Sequence, residues 1–459
     1  MELFAPENPR PIHFMGIAGA GMGALALVAR RRGVAITGSD IDPTNAADLI
    51  RAGVEVHAGH DPAHIRDARA VIYTSAVDPG HPVLAAAVAA NIPVFKRAEA
   101  LSLLIGDRLA IGIAGTHGKT TTATMATEVL AAAGRDPTGI VGGRVDAWGG
   151  NARVGSDRLF VVEADEYDRS FLSLRPTIAV VNNVEAEHLE CYGTVAALED
   201  AFVEFSGHAE RALVGADDAG AVRVAERIDV PVWRVGMAVE ADIRLTDIRQ
   251  EPEVTRARLQ LADGREVSLE LHVPGVHNLR NAAMAMGVAA ALDADLDDAA
   301  AALSAFGGIG RRFQIVGTER GVTVVDDYAH HATEISATIV AARQRFPGAR
   351  VIVAFQPHLY SRTQRQSEPL GRALAAADLA VITDVYPARE QPIPNVTGEL
   401  VVDAARRAGA DVTWIENRDD LASRLAQMVR PGDAVLTLGA GDITQVAGEL
   451  LLRLAEAAA

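Results

Sequence analysis

Short apolar runs, glycine-bearing turns and Ala-rich amphipathic stretches succeed one another along the chain. The first set is PIHFMGIAGAGMGALALVARRRG (11–33), followed by a second apolar run, VAITGSD. VEVHAG, AVIYTSA and IPVFKRA then alternate with Ala-rich segments. A helical stretch between successive apolar runs is the crossover that parallel strand pairing requires, so the pattern predicts βαβ units with helices on both faces of a sheet. The pattern restarts at RLAIGIAGTHGKTTTATMATEVLAAAG (108–134) and continues through RLFVVEAD and TIAVVNNV to FGGIGRRF (306–313). It restarts again at GVTVVDDYAHH (321–331), runs through ARVIVAFQPH and LAVITDVYPA, and closes on DAVLTLGAGDI. One stretch differs in period. VTRARLQLADGREVSLELHV (254–273) alternates apolar and polar residues around Asp-Gly, which predicts a β-hairpin.

The expected fold class is therefore α/β in three domains, 1–107, 108–313 and 314–459. The first and last are Rossmann-like, and the middle one is a P-loop domain with a mostly parallel sheet. LSLLIGDRLA and GIGRRFQIVG are the predicted linkers, and LLRLAEAAA is a predicted surface helix at the end. Composition agrees: of 459 residues, 49% are hydrophobic but only 4% aromatic, which suits Ala- and Val-rich helix-covered sheets. The net charge of −17 argues against general nucleic-acid or anionic-membrane binding. It leaves room for an anionic small ligand held by backbone N–H groups and a lysine. A single cysteine, Cys191, excludes an intrachain disulfide and a Cys-based zinc cluster. With no apolar run long enough to span a bilayer and no signal-like segment, a soluble cytoplasmic protein is expected.

GTHGKTT (115–121) follows a predicted strand and opens a predicted helix, the context in which a helix N-terminus aims free N–H groups at phosphate. Lys119 is expected to reach the β/γ phosphates and Thr120 to ligate Mg²⁺. The spacing is unusual, because the first glycine of the general loop pattern would fall on Ile113 and instead sits at Gly112 or Gly115. EADEYD brings Glu163 to a strand end as the expected magnesium ligand, with Asp165, Glu166 and Asp168 read as solvated loop charges. His188, after the next strand, is a candidate metal ligand against the plainer reading of a structural loop histidine. GIAGAGMG (16–23) resembles a dinucleotide-binding turn without fitting G-x-G-x-x-G, and Asp40 ends the next strand where a ribose-binding acid belongs. On residues alone, NAD and another nucleotide diphosphate both fit it. Asn278 and Asn281 read either as helix caps or as adenine contacts. Arg311 and Arg312, then Asp326, Asp327, His330, His331 and Glu334, then His358 and Arg362, with GAGD (439–442), outline a small-molecule pocket at strand ends of the third unit.

In order, GTHGKTTT, EADEYD, NNVEAEHL, HNLRNAA, GRRF, DDYAHH and FQPHLYSRT resemble the Mur ligase family of peptidoglycan synthesis along essentially the whole chain. His117, the QPH…R stretch and DVYPAREQPIP resemble most the branch that acts on L-alanine. The resemblance implies a UDP-sugar domain, a central ATPase and an amino-acid domain. ATP and Mg²⁺ would be the cofactors, and UDP-N-acetylmuramate and L-alanine the small-molecule substrates, with no nucleic acid or membrane partner. It implies that Gly115, Thr116, His117, Gly118, Lys119, Thr120 and Thr121 hold ATP phosphates, with Asn278 and Asn281 at adenine. Thr120, Glu163 and His188 would hold magnesium, and Gly16, Gly19, Gly21, Ser39 and Asp40 the UDP-sugar. Lys119, Arg312, Asp327 and His331 would be catalytic, and His358 and Arg362 would meet the amino acid. The chain departs from the family at Leu359, Ala329 and Ala332, where Arg, Gly and Pro are usual. The alternatives are a murein tripeptide ligase of the same family, a non-catalytic nucleotide sensor, and a nicotinamide dehydrogenase that leaves Lys119 unexplained.

Overall fold

A computed structural model of the chain describes residues 3–74, 76–388 and 390–456. The chain divides into two compact units. One comprises the residues up to Ile248 with Ala257–Glu270 and Arg280–Phe306; the other comprises Arg249–Arg256, Leu271–Leu279 and the chain from Gly307.

The first unit carries two sheets. The N-terminal sheet is built from β1 (Ile12–Met15), β2 (Ile36–Asp40), β3 (Glu55–Ala58), β4 (Ala70–Tyr73) and β5 (Val94–Lys96). Its order is β3-β2-β1-β4-β5 and every pair is parallel, the Rossmann order with its crevice between β1 and β4. β1 is buried throughout. Gly16, at φ 77°, ends β1 in a left-handed turn and donates its N–H to the carbonyl of Ser39 at 2.8 Å. The helix Ala20–Arg31 follows, with Leu25, Ala26, Leu27 and Val28 buried and Arg30 and Arg31 in its last turn, where cations suit the dipole.

The second sheet contains β6 (Leu109–Ala114), β7 (Thr138–Val145), β8 (Gly150–Arg153), β9 (Leu159–Glu163), β10 (Ile178–Val181), β11 (Arg211–Gly215), β12 (Val232–Gly236), β13 (Ile243–Gln250), β14 (Thr255–Leu261) and β15 (Glu266–Leu271). Its order is β15-β14-β13-β12-β11-β10-β6-β9-β7-β8. β6 runs parallel to both neighbours, β10 and β9, and is buried from Ala110 to Ala114. β14 and β15 are the predicted hairpin, closed by a turn in which Leu261 N–H donates to the carbonyl of Arg265.

The second unit carries β16 (Gln314–Glu319), β17 (Val322–Asp327), β18 (Val351–Phe355), β19 (Leu379–Ile382), β20 (Val412–Trp414) and β21 (Ala434–Leu438). They pair in the order β16-β17-β21-β18-β19-β20, parallel except for the edge pair β16–β17. β17 and β18 thus flank β21, and the carboxyl ends of all three converge.

The first predicted linker is mostly regular structure, whereas the second enters a strand only at Gln314. Leu101, Leu104 and Ile105 are buried in the helix Arg97–Ile105, and Leu109 already belongs to β6. Gln314–Glu319 is an edge strand. The apolar residues of the first segment are core, whereas Ile315 and Val316 of the second are exposed. The final helix, Thr444–Glu456, buries Val446, Leu450 and Leu454, so it is a packed element. Ala457–Ala459 lie outside the described residues. No helix among the described residues is long and apolar enough to cross a membrane.

Candidate active site

β6 delivers the loop between the carboxyl ends of β9 and β10, so residues following each of those strands flank it on opposite sides. Gly115 (φ 131°) and Gly118 (φ 78°) are the two glycines the turn requires, and the helix Lys119–Ala132 starts directly after it. A Cβ at Gly118 would lie 2.5 Å from Asn281 Oδ1. Gly112 has another reason to be glycine: it lies within β6, where a Cβ would meet the Phe205 ring at 2.9 Å. The glycine that seemed displaced is a packing glycine, and the loop proper starts at Gly115.

The loop is tied on its β10 side. Asn183 Oδ1 accepts from His117 N–H at 2.7 Å, and the Asn183 carbonyl accepts from Thr116 N–H at 3.0 Å. Asn182 donates to the His117 carbonyl at 3.2 Å and to Thr122 Oγ1 at 3.0 Å. Thr116 Oγ1 accepts from Glu185 N–H at 2.9 Å, and His117 Nε2 lies 3.2 Å from Glu185 Oε2. Thr121 is buried beside Thr120 in the first turn of the helix. Asn281 Oδ1 accepts from Thr122 Oγ1 at 3.2 Å, placing Asn281 against the loop's helix. Asn278 donates to the carbonyl of Pro274 at 2.7 Å. Both asparagines lie inside the helix Val276–Ala291, which sets aside their reading as caps.

On the β9 side, Thr120 Oγ1 donates to Glu163 Oε2 at 2.9 Å, and the same oxygen accepts from Gly142 N–H at 2.7 Å. A hydroxyl and a carboxylate oxygen in contact are hard donors of the kind magnesium selects, so the residues present fit that ion. His188 has a left-handed backbone (φ 53°) and starts the short helix Leu189–Tyr192; its Nδ1 lies 3.4 Å from Glu190 and 3.9 Å from Glu187. The Tyr167 ring meets it edge-on at 5.1 Å.

Glu166 overturns the expectation of a solvated charge. It is only 1% exposed, and its carboxylate sits 2.9 Å from the Lys119 ammonium. Asp165 and Asp168 remain partly exposed, as expected. Burial works against the charge on Lys119, but Glu166, Asp165 and Glu163 outweigh it and raise its pKa. Burial likewise raises the Glu166 carboxyl, which Lys119 only partly opposes. No alternation or spacing in EADEYD distinguishes Glu166; the signal is the turn that follows β9, visible only in three dimensions.

At the N-terminal sheet, Asp40 Oδ2 accepts from Ala18 N–H at 2.9 Å, so this acid braces the glycine turn. Gly19 N–H donates to the carbonyl of Gly16 at 3.1 Å, and Gly21 lies in the first turn of the helix, where a Cβ would be 3.2 Å from Arg97. Ser39 was expected to face ligand, yet its hydroxyl is buried between His13 Nε2 (3.0 Å) and His60 Nδ1 (2.8 Å). Ser39 and Thr37, two apart on β2, share the face that meets the His13 ring. His13 is fully buried, with Thr37 Oγ1 at 3.0 Å on its other nitrogen, and burial together with His64, His57 and His60 lowers its pKa to about 3.

In the second unit, Asp327 accepts from Phe313 N–H and Ala329 N–H, both at 2.8 Å. Burial pushes its pKa up to about 6, against the pull of Arg312 and those two donors. Arg312 stacks on Tyr328 at 5.1 Å. Arg311 donates to the carbonyls of Gly439 (2.6 Å) and Gly441 (3.2 Å), so it anchors the GAGD turn. Gln356 holds the same turn through Asp442 at 2.8 Å and Ile443 N–H at 3.1 Å. His331 precedes the helix Ala332–Arg345, and Glu334 accepts from the backbone of His330 (3.0 Å) and His331 (3.3 Å), closing a capping box. Arg362 is 8% exposed and lies 3.2 Å from His358 Nδ1. His330 lies against both His331 and His358, and burial lowers its pKa to about 3, with Arg362 and His331 adding to the shift against Glu334. Leu359 adopts φ 66°, unusual for a branched residue, where its N–H donates to the Tyr386 carbonyl at 3.0 Å. Arg311 and His330 were in view as candidates, but their anchoring and neutral roles emerge only from packing.

Three family profiles match in succession: the Mur ligase family catalytic domain over residues 11–108, the Mur ligase middle domain over 113–289, and the Mur ligase glutamate ligase domain over 311–441. A UDP-N-acetylmuramate–L-alanine ligase of Cutibacterium acnes is 44% identical over 99% of this chain and 98% of its own length. One of Streptomyces avermitilis is 41% identical over 97% of each. Among solved structures, a UDP-N-acetylmuramate–alanine ligase of Thermotoga maritima superposes with a TM-score of 0.82 at 28% identity, covering 97% of this chain and 99% of the other. A murein peptide ligase of Psychrobacter arcticus gives 0.73 at 26% identity, covering 97% and 98%. With its three sheets, its phosphate loop at the end of β6 and these full-length matches, the chain belongs to the Mur ligase family.

Proposed function

We infer that this protein is an ATP-dependent ligase that joins L-alanine to the lactyl carboxylate of UDP-N-acetylmuramate in peptidoglycan precursor synthesis. The observation that carries the chemistry is the loop Gly115–Thr120, with Lys119 and the Thr120–Glu163 contact at its mouth. The names of full-length relatives supply the substrates.

A carboxylate does not react with an amine at neutral pH, so it must first gain a leaving group. ATP's γ-phosphoryl passes to the lactyl carboxylate, giving ADP and an acyl phosphate. The alanine amine attacks the carbonyl carbon of the acyl phosphate, and phosphate and a proton depart as the amide forms. Loop N–H groups and Lys119 stabilise charge on the phosphoryl oxygens as fixed donors. Thr120 and Glu163, with His188, would hold magnesium, which supplies further positive charge for those oxygens. Asn278 and Asn281 serve adenine, with Gly115, Thr116, His117, Gly118 and Thr121 around the phosphates. The glycine turn Gly16–Gly21, braced by Asp40, serves the UDP group. Ser39 acts there by orienting His60. Arg312, Asp327 and His331 serve the reacting groups, and His358 and Arg362 meet the amino-acid carboxylate. The domain limits we assign are 1–107, 108–313 and 314–459, and the compartment is the cytoplasm.

The test is phosphate release by purified protein given ATP, magnesium chloride and UDP-N-acetylmuramate, with each amino acid or a murein tripeptide added in turn. Release that requires both the sugar nucleotide and L-alanine is expected. Equal hydrolysis without either substrate, or preference for the tripeptide, would overturn the assignment.

A further inference from the structure

Glu166 is a buried charge that the proposed reaction does not use. Its carboxylate is 1% exposed and lies 2.9 Å from the Lys119 ammonium. It is also held firmly. Tyr192 Oη donates to the Glu166 carbonyl at 2.5 Å, and the preceding Asp165 carbonyl accepts from Ser170 Oγ at 2.8 Å and Phe171 N–H at 3.0 Å.

An ammonium has three N–H donors. Those of Lys119 meet the Gly115 carbonyl (2.7 Å), the Thr116 carbonyl (3.2 Å) and Glu166 (2.9 Å), so none is left over. For Lys119 to meet a phosphate, one acceptor must be released. The two carbonyls belong to the loop that wraps the phosphates, whereas Glu166 is an anion, and a phosphate oxygen replaces it like for like. Satisfying the lysine needs one carboxylate, yet Glu163 and Asp165 also act on it. The surplus negative charge stands where a triphosphate must arrive.

Resting on the nucleotide-binding reading above, we propose that Glu166 is a positioning residue that holds the Lys119 ammonium until nucleotide arrives, and that the incoming phosphate takes the ammonium from it in direct competition. Glu166 therefore sets the nucleotide affinity of the loop: it keeps the lysine aimed in the free protein and weakens binding by the same contact.

The test is titration of the full-length protein with a nonhydrolysable ATP analogue and magnesium chloride, followed by calorimetry. Glu166→Gln removes the competing charge and is expected to tighten binding at least about tenfold, a lower bound for one buried charge contact. Glu166→Asp retains the charge and should stay within about twofold of the wild type. In a Lys119→Met background the unpaired buried carboxyl takes up a proton, so Glu166→Gln should then change little. A purely structural role would lower the melting temperature without tightening binding. Unchanged or weaker binding by folded Glu166→Gln, or equal tightening in the Lys119→Met background, would overturn the proposal. Should Glu166→Gln fail to fold, Glu166→Met, of similar length, takes its place with the same expectation. Absence of binding by the wild type would instead overturn the nucleotide assignment.

Discussion

Lys119 carries two loads that a substitution separates. Its ammonium serves phosphate, and it also neutralises Glu166 in a place with almost no solvent. Removing one partner of a buried pair leaves the other uncompensated, at a cost of about 3–5 kcal/mol. Lys119→Ala should therefore abolish ligase turnover and also lower thermal stability by several degrees, while Lys119→Ala/Glu166→Gln should regain the stability and none of the activity. Differential scanning calorimetry beside the phosphate-release assay checks both; a Lys119→Ala melting temperature equal to the wild type would show that Glu166 is not paired in solution. The lysine itself was legible from GTHGKT, because phosphate loops carry their chemistry in a contiguous stretch. Glu166 was not, since four acids in EADEYD look alike until the chain turns after β9 and buries only one of them.

Adjacent strands explain the buried histidine chain. His13 on β1 pairs with Thr37 on β2, so register alone brings its ring to Thr37 Oγ1 and Ser39 Oγ. A neutral ring bridging two hydroxyls is well satisfied there, and a charged one is not. The His13 pKa is lowered to about 3, so the unfolded chain binds this proton more readily than the folded one. The corresponding stability is fully present above about pH 6.5 and is lost as pH falls toward 3, at about 1.4 kcal/mol per pH unit. His330, also lowered to about 3, acts in the same direction within the second unit. Asp327, raised to about 6, acts oppositely: its contribution is present below about pH 3.8 and is lost as pH rises through 6. Urea midpoints measured from pH 7 to 5 should therefore fall, and His13→Gln should flatten that slope. A midpoint that does not move over this range would contradict a neutral buried His13. Strand identity was readable from apolar runs, but not which polar residue within them is buried, because register between strands is a tertiary property.

The whole chain is strongly acidic, at a net charge of −17, while both proposed nucleotide substrates are anions. Long-range repulsion should slow their encounter, and salt screens it, shortening the Debye length from about 30 Å at 0.01 M to about 8 Å at 0.15 M. Association of a fluorescent ATP analogue, followed by stopped flow at fixed magnesium, should accelerate a few-fold over that range. A decrease would mean that the loop's N–H groups and Lys119 govern the field felt on approach. The same acidity pervades the site, where Glu163, Asp165 and Glu166 surround one lysine, and this is the strongest physical reason to expect a divalent cation beside the phosphates.

By itself the sequence determined what local chemistry specifies: strands and helices by apolar period, the phosphate loop by its contiguous glycines, lysine and threonine, and the family by an ordered set of short motifs. Tertiary structure alone decided what depends on residues far apart in the chain. It placed β6 between β9 and β10, so that Thr120 meets Glu163 and Lys119 meets Glu166. It also turned Ser39 inward to His13 and made packed helix and strand of most of LSLLIGDRLA. The physical reason is that burial and pairing are properties of space: a glutamate or serine has the same local preferences whether the fold covers it or leaves it in water.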